Sequence, residues 1–271
     1  RGPQSIMSTS SEAAKAQSGF KVDCHAHVFT TSMPLRDNPR HKPNYSFTIE
    51  DYLKVLDEHG VDFAVLAAVR DMAAKITAAH PRLAVLINNA GVGLGGRSGI
   101  PRELSRDGHE LRFQVNHLSH FLLTRMWLPR LRESAPSRIV NVSSGAQQPI
   151  DFDDVMIEND FSGGRAYAQS KLAQIMFTID LAEELEGADV IVNSLHPATY
   201  MDTGMVRRAG LTPRATVGEG ADAVMQLITS SDIGSGGYFN RLRPARANAQ
   251  AYDEEARNKL RELSEELTRG R

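Results

Sequence analysis

Apolar residues in this chain come in short runs, and their spacing alternates between strand-like and helix-like. Residues 20–29 (FKVDCHAHVF) read as a buried strand whose end carries Asp23, His25 and His27. Thr48 then caps a helix over 49–59, with Tyr52, Leu53 and Leu56 at helical period. Gly60 ends that helix, and residues 61–69 read as a second apolar strand. Residues 71–79 are helical, and residues 83–87 form a short apolar strand leading into Asn88-Asn89-Ala90-Gly91. The next helix spans 110–132, with Phe113, Leu118, Phe121 and Leu122 on its apolar side. A strand at 138–141 runs into Val142-Ser143-Ser144, and a helix opening at Arg165 carries the stripe Leu172, Ile175, Met176, Ile179. Residues 190–195 form a strand that enters His196-Pro197-Ala198-Thr199. Leu260, Leu263 and Leu267 make 253–267 an amphipathic packing helix.

Alternating strands and helices predict an α/β, doubly wound parallel sheet with helices on both faces. Ligands of such sheets sit beyond the carboxyl ends of the strands. The Asn89 loop, Ser144 and Pro197 would converge there.

Composition narrows the classes. With 271 residues the chain can bury a sizeable core as one large domain or two small ones. A hydrophobic share of 41% and a charged share of 24% are those of an ordinary soluble globular protein. A net charge of −2 gives no reason to expect a nucleic-acid or membrane-surface partner. Cys24 is the only cysteine, which rules out an intrachain disulfide and fits a reducing, cytoplasmic setting. No apolar run approaches the ~20 residues of a membrane span. Residues 1–19 are read as a leader, without a signal-peptide core.

The candidate chemistry starts from Tyr167-Ala-Gln-Ser-Lys171. Residues four apart on a helix share a face, and an ammonium beside a phenol favours the phenolate. Such a tyrosine passes a proton to or from a carbonyl or alcohol oxygen. Both side chains fall on the margin of the apolar stripe, near the core but not in it. Asn116 interrupts an apolar helix face; it braces a bend, holds a water, or lies on the surface. Ser143 and Ser144 place hydroxyls at a strand end, and glycines 91, 93, 95 and 96 allow close backbone approach to a ligand. Asp151, Asp153 and Asp154 read as solvated loop charge, and His196 beside a proline as structural. His25 and His27 would point to one side of a strand, an arrangement that suits zinc, but two histidines do not complete a site. No metal is expected.

Two resemblances follow from these motifs. DCHAHVF and the text YLKVLDEHGVDFAVLAA, within 21–68, resemble the start of an amidohydrolase-type barrel of the dicarboxylate lactonase branch. The set NNAG, Asn116, VNVSS, YAQSK and P-x-x-x-x-x-T, in that order over 70–271, resembles the short-chain dehydrogenase/reductase family. The long interval from Ser144 to Tyr167 and the text YAQSKLAQ are similar to its retinol-dehydrogenase-like, NADP-using branch.

The second resemblance implies an NAD(P)-dependent oxidoreductase that interconverts a small-molecule carbonyl and alcohol. Tyr167 would be its acid/base, Lys171 would lower the Tyr167 pKa and hold the nicotinamide ribose, and Ser144 would bind the substrate oxygen. Asn116 would anchor a proton-relay water. Asn89, Ala90, Gly91, Pro197, Thr199 and Thr203 would line the cofactor. Arg70-Asp71 resembles the end of the family's second strand, where arginine favours NADP over NAD. The dimerising helices of the family correspond to 112–132 and 167–185, which implies a homodimer or homotetramer. The family's T-G-x-x-x-G-x-G pyrophosphate loop has no match here. The chain therefore looks chimeric: a lactonase-like strand–helix–strand at 20–69 fused in one compact domain to a dehydrogenase portion at 70–271. The implied sheet has roughly one strand fewer than the family's. Two other functions come with the chimera, a metal-dependent lactonase using His25 and His27, or a catalytically inactive recombinant.

Overall fold

The computed structural model describes residues 22–23, 66–79, 82–93 and 101–269. Among the described residues six strands form one sheet in the order of the chain: β1 (Val22–Asp23), β2 (Val85–Asn88), β3 (Ser137–Val142), β4 (Val190–His196), β5 (Tyr238–Asn240) and β6 (Arg243–Ala245). The pairings from β1 to β5 are parallel, and β6 turns back antiparallel on β5. The expected doubly wound α/β sheet is what the chain forms.

Helix α1 (Leu66–Ala79) corrects the strand expected at 61–69, over the part of it that is described. Leu66, Val69 and Ala73 are buried, while Ala67, Asp71, Ala74 and Lys75 face solvent. That is a helical phase. A short apolar run such as VLAAV suits a strand or a buried helix equally, and packing decides. Here the partner is Trp127, whose indole N–H reaches the Ala73 carbonyl at 3.2 Å and the Thr77 hydroxyl at 3.1 Å.

Helix α2 is continuous but changes pitch: an α-helical turn Leu111–Phe113, a π-helical stretch Gln114–Leu118, and an α-helix Ser119–Glu133. Its start is fixed by Glu110, whose carboxylate accepts the Phe113 N–H at 2.8 Å and binds Arg112 at 3.0 Å. Both charges are buried, so each compensates the other's desolvation. Helix α3 (Gly163–Glu184) starts at the Ser162 cap. The short α4 (Gly204–Arg208) follows the Thr203 cap, and α5 (Val217–Thr229) opens on a Thr216–Glu219 capping box. Helix α6 (Glu254–Thr268), capped by Asp253, is the amphipathic packing helix that the leucine spacing predicts.

Alternation along the strands feeds two cores. Leu86, Ile139 and Val192 face the side covered by α1, α2 and α3, while Val85, Ile87, Val140, Val142 and Leu195 face α5. A buried large aliphatic or aromatic side chain contributes about 1.5–3 kcal/mol, so both layers hold the strand ends firmly. Polar residues tie strands to helices beneath them. Asn88 donates to Asn141 Oδ1 at 2.8 Å and to Thr124 Oγ1 at 2.9 Å, and Asn141 donates to Thr178 Oγ1 at 2.8 Å.

Candidate active site

Three strand ends and one helix build the site. β2 delivers Asn89 to Gly93, β3 delivers Ser143 and Ser144, β4 delivers His196 and Pro197, and α3 brings Tyr167 and Lys171. Asn116 stands in the π-helical stretch of α2, fully buried, which excludes the surface alternative. Its Oδ1 accepts the Val92 N–H at 2.8 Å, and its Nδ2 donates to the Val92 carbonyl at 3.1 Å and to Ser170 Oγ at 2.9 Å. Ser170 in turn donates to the Tyr167 carbonyl at 2.8 Å. Asn116 therefore joins the loop after β2 to the turn of α3 that bears the tyrosine, and so acts as a brace.

The Tyr167 side chain lies beside Ser144, close enough for that residue to favour the phenolate. Lys171 lies 5.9 Å from the centre of the Tyr167 ring, one turn further along α3. Its ammonium donates to the Val142 carbonyl at 3.0 Å and to Gln174 Oε1 at 2.8 Å. Ser143 points the other way and donates to the Lys171 carbonyl at 2.7 Å, which pins α3 to β3.

Two expectations about this pair are corrected. Lys171 is buried, not at the margin of the core. Burial also raises the Tyr167 pKa above the ordinary phenol value, with the neighbouring Ser144 side chain opposing it. Lys171 itself is pulled down to about 7 by desolvation. An ammonium that is costly to keep charged is a weak source of stabilisation for a phenolate, so burial wins over charge.

The donor set fits the nicotinamide-ribose half of a dinucleotide. An ammonium has three N–H donors and two of those on Lys171 are spent, which leaves one for a sugar hydroxyl. A Cβ on Gly91 would stand 3.6 Å from Lys171 Nζ and 3.3 Å from Asn116 Oδ1, so the bare backbone keeps that side open. The mouth closes from the β4 side. Met205 on α4 packs on Gly93, and the His196 ring lies against Gly145. Thr199 bonds His196 Nε2 at 3.0 Å, while the Thr203 hydroxyl is used as the α4 cap.

The model of the short chain dehydrogenase family matches residues 57–213, more than half of the sequence and all the elements just described from α1 to α4. The chain belongs to that family. The match begins inside the 21–68 stretch whose text resembles a lactonase, and it takes in α1.

Among curated relatives of this short chain dehydrogenase, mouse retinol dehydrogenase 14 is 39% identical over 222 residues, 76% of this chain and 65% of the relative. The chain thus spans just under two thirds of that relative's length. A solved structure of an uncharacterised protein from Mycobacterium Paratuberculosis is 30% identical, with a TM-score of 0.61, covering 77% of this chain and 74% of the other. The RhlG/NADP active-site complex of Pseudomonas aeruginosa is 26% identical, with a TM-score of 0.52, over 66% and 73% of the two chains.

Some candidates fall elsewhere. Arg70 does not end a strand; it lies inside α1, where its guanidinium donates to the Thr268 carbonyl of α6. His25 and His27 lie outside the described residues, as do Gly95 and Gly96. Among the described residues no group of three His, Cys, Asp or Glu is placed to hold a metal ion, and no helix is long and apolar enough to cross a membrane.

Sequence reasoning missed four residues that hold this dehydrogenase site. Gln174 and, behind it, His120 back Lys171. Tyr238 and Gln147 both donate to the Ser144 carbonyl, at 3.0 and 3.1 Å. Gln174 had a signal, because a residue three beyond Lys171 shares its helix face. Gln147 stands only three residues beyond Ser144 in the same loop, while His120 and Tyr238 come from distant elements and carry no local signal.

Proposed function

We propose that the chain is an NAD(P)-dependent oxidoreductase that interconverts a carbonyl and a primary or secondary alcohol, with NADP as the preferred cofactor. One observation carries the reading: the Tyr167 side chain lies beside Ser144 while Lys171 backs it from one turn away. Two neighbouring hydroxyls can hold one substrate oxygen between them. In the reducing direction Tyr167 Oη gives its proton to that oxygen, and Ser144 Oγ donates a hydrogen bond that orients it. Burial keeps Tyr167 in its neutral, proton-bearing form, which suits an acid. The bound nicotinamide supplies or accepts the hydride.

Lys171, Asn89, Ala90, Gly91, Pro197 and Thr199 would hold the nicotinamide half, and Asn116 would fix the loop that carries Asn89 to Gly91. Thr203 would act by capping α4. NADP is favoured over NAD by the likeness to RhlG, whose structure is an NADP complex. Retinal is the first substrate to try, since the relatives are retinol dehydrogenases. A homodimer or homotetramer would have to use the part of α2 and α3 that α6 leaves open, around exposed Met126. The fusion of a lactonase-like stretch at 20–69 into one domain, and a cytoplasmic setting, complete the proposal.

The test is a fluorescence titration with NADPH and with NADH, followed by turnover of all-trans-retinal. Saturable NADPH binding, with turnover lost in Tyr167→Phe and binding kept, is the expected result. Absence of either cofactor's binding at millimolar concentration would overturn it.

A further inference from the structure

Behind Lys171 runs a buried polar chain that the proton chemistry above does not use. Lys171 Nζ is 2.8 Å from Gln174 Oε1, Gln174 Nε2 is 2.9 Å from His120 Nδ1, and His120 Nδ1 is 3.0 Å from the Asn116 carbonyl. Gln174, His120 and Asn116 are each at most 1% exposed, so no bulk water stands in for a missing partner.

The chemistry of the groups constrains how this chain is polarised. An ammonium offers only donors, so the amide must turn its oxygen to Lys171. Its NH2 then faces His120 Nδ1, which has to present a lone pair. The ring proton therefore sits on Nε2, and the nearby Asn116 carbonyl gets nothing from Nδ1. Once Lys171 gives up a proton, its nitrogen has a lone pair and can accept. The amide can then reverse, donating to Lys171 and offering its oxygen to His120. In that arrangement Nδ1 carries the ring proton and donates to Gln174 Oε1 and the Asn116 carbonyl. The ammonium allows only the first arrangement; the neutral amine allows both, and of these the second alone gives the Asn116 carbonyl a donor.

We propose that Gln174 is a positioning residue for Lys171 and ties the charge on Lys171 to the tautomer of His120. The proton balance is simple. As the pH rises Lys171 releases one proton to solvent, while His120 stays neutral, giving a proton up from Nε2 and taking one back at Nδ1 by exchange with solvent. The groups facing Lys171 are the Val142 carbonyl from β3, Gly91 from the loop after β2, the Tyr167 ring on its own helix and, through Gln174, His120 on α2. Of these, only Tyr167 and His120 titrate. Desolvation brings Lys171 down to about 7, so the switch falls within an accessible pH range. Its effect on rate rests on the function proposed above; the tautomer itself does not.

The experiment is nitrogen NMR on the full chain labelled with [15N]histidine, with His120 assigned from the signal lost in His120→Asn. At pH 6 the wild type should show the Nε2–H form, with a bare Nδ1. Raising the pH to 9, or substituting Lys171→Met, should move His120 to the Nδ1–H form. Gln174→Leu should give the Nδ1–H form at both pH values. A His120 tautomer that ignores pH and the Lys171→Met change alike would overturn the proposal, as would the Nδ1–H form in wild type at pH 6. None of these spectra needs turnover, so a failure here is separable from a failure of the proposed activity. If Gln174→Leu does not fold, the Lys171→Met and pH arms decide. In an active enzyme, Gln174→Leu should also move the pH midpoint of NADPH-dependent retinal reduction, which a purely structural role would leave in place.

Discussion

The hydroxyl of Tyr238, on β5, donates to the backbone carbonyl of Ser144, at the end of β3, across a distance of 3.0 Å. β4 lies between those two strands, so the contact holds the Ser144 turn from the far side of its neighbour. Burial pushes the Tyr238 phenol up to about 12, which keeps it a donor throughout the working range of pH. Tyr238→Phe removes this donor and leaves Gln147 as a second one at 3.1 Å. The expected loss of stability is therefore only about 0.5–1.5 kcal/mol. Turnover should fall further than that figure suggests, because Ser144 loses part of its support. Urea unfolding together with steady-state rates checks both; an unchanged rate would mean that Gln147 alone fixes the turn.

Asn116 is the next test. Asn116→Leu keeps the volume and removes both polar ends, leaving Val92 N–H, Val92 C=O and one contact of Ser170 without a partner. Each buried polar group left unpaired costs roughly 1–3 kcal/mol. Val92 is partly exposed and Ser170 keeps its bond to the Tyr167 carbonyl, so a total of about 2–3 kcal/mol is expected. The NADPH titration should weaken in the same variant, because the Gly91 side of the mouth is no longer anchored. A native unfolding midpoint in Asn116→Leu would show that the brace is dispensable.

The fold was readable because strand and helix periods alternate cleanly from Val85 onward, and the site because its residues fall at strand ends and on one helix face. The failures share one cause: pattern carries no packing. Residues 66–69 are apolar without being periodic, and only the seat of Leu66, Val69 and Ala73 against α2 makes them helical. Arg70 was placed at a strand end for the same reason. For Tyr167 and Lys171 the spacing was informative and the electrostatics were not, since the depth that raises one pKa and lowers the other is set by β3 and the loop after β2. Tyr238 lies 94 residues from Ser144, and nothing local announces that pairing.

His117 predicts an acid weakness. It is wholly buried in the π-helical stretch, bonded to Ser264 of α6 at 2.7 Å, and desolvation lowers its pKa from 6.5 to about 3. Between those values the unfolded chain carries a proton that the folded chain refuses. Stability must therefore fall as pH drops below about 6.5, and the loss levels off near 3. By pH 4 this one residue should cost roughly 3 kcal/mol relative to neutral pH. His117→Gln keeps a hydrogen-bonding group and cannot titrate, so the difference between wild type and variant should shrink towards pH 4. Parallel pH dependences in urea unfolding of the two proteins would refute the assignment.

Lys171 predicts the opposite end of the pH scale. Its folded pKa of about 7 lies below the ordinary lysine value of 10.5, because burial penalises the ammonium and only two neutral acceptors compensate. A base depressed in the folded state binds fewer protons folded than unfolded, so stability rises with pH across that interval. Below about 7 the penalty is fully present; it is relieved as the pH climbs towards 10.5. Between pH 7 and 9 the gain should be roughly 2 kcal/mol. Lys171→Met removes the charge and keeps much of the chain length, so it lacks this slope. At pH 7 the variant should be at least as stable as wild type while losing turnover. Such a residue weakens the fold in order to serve the site. A Lys171→Met variant that is less stable at pH 7, with a pH slope equal to that of wild type, would mean the ammonium is held for packing alone.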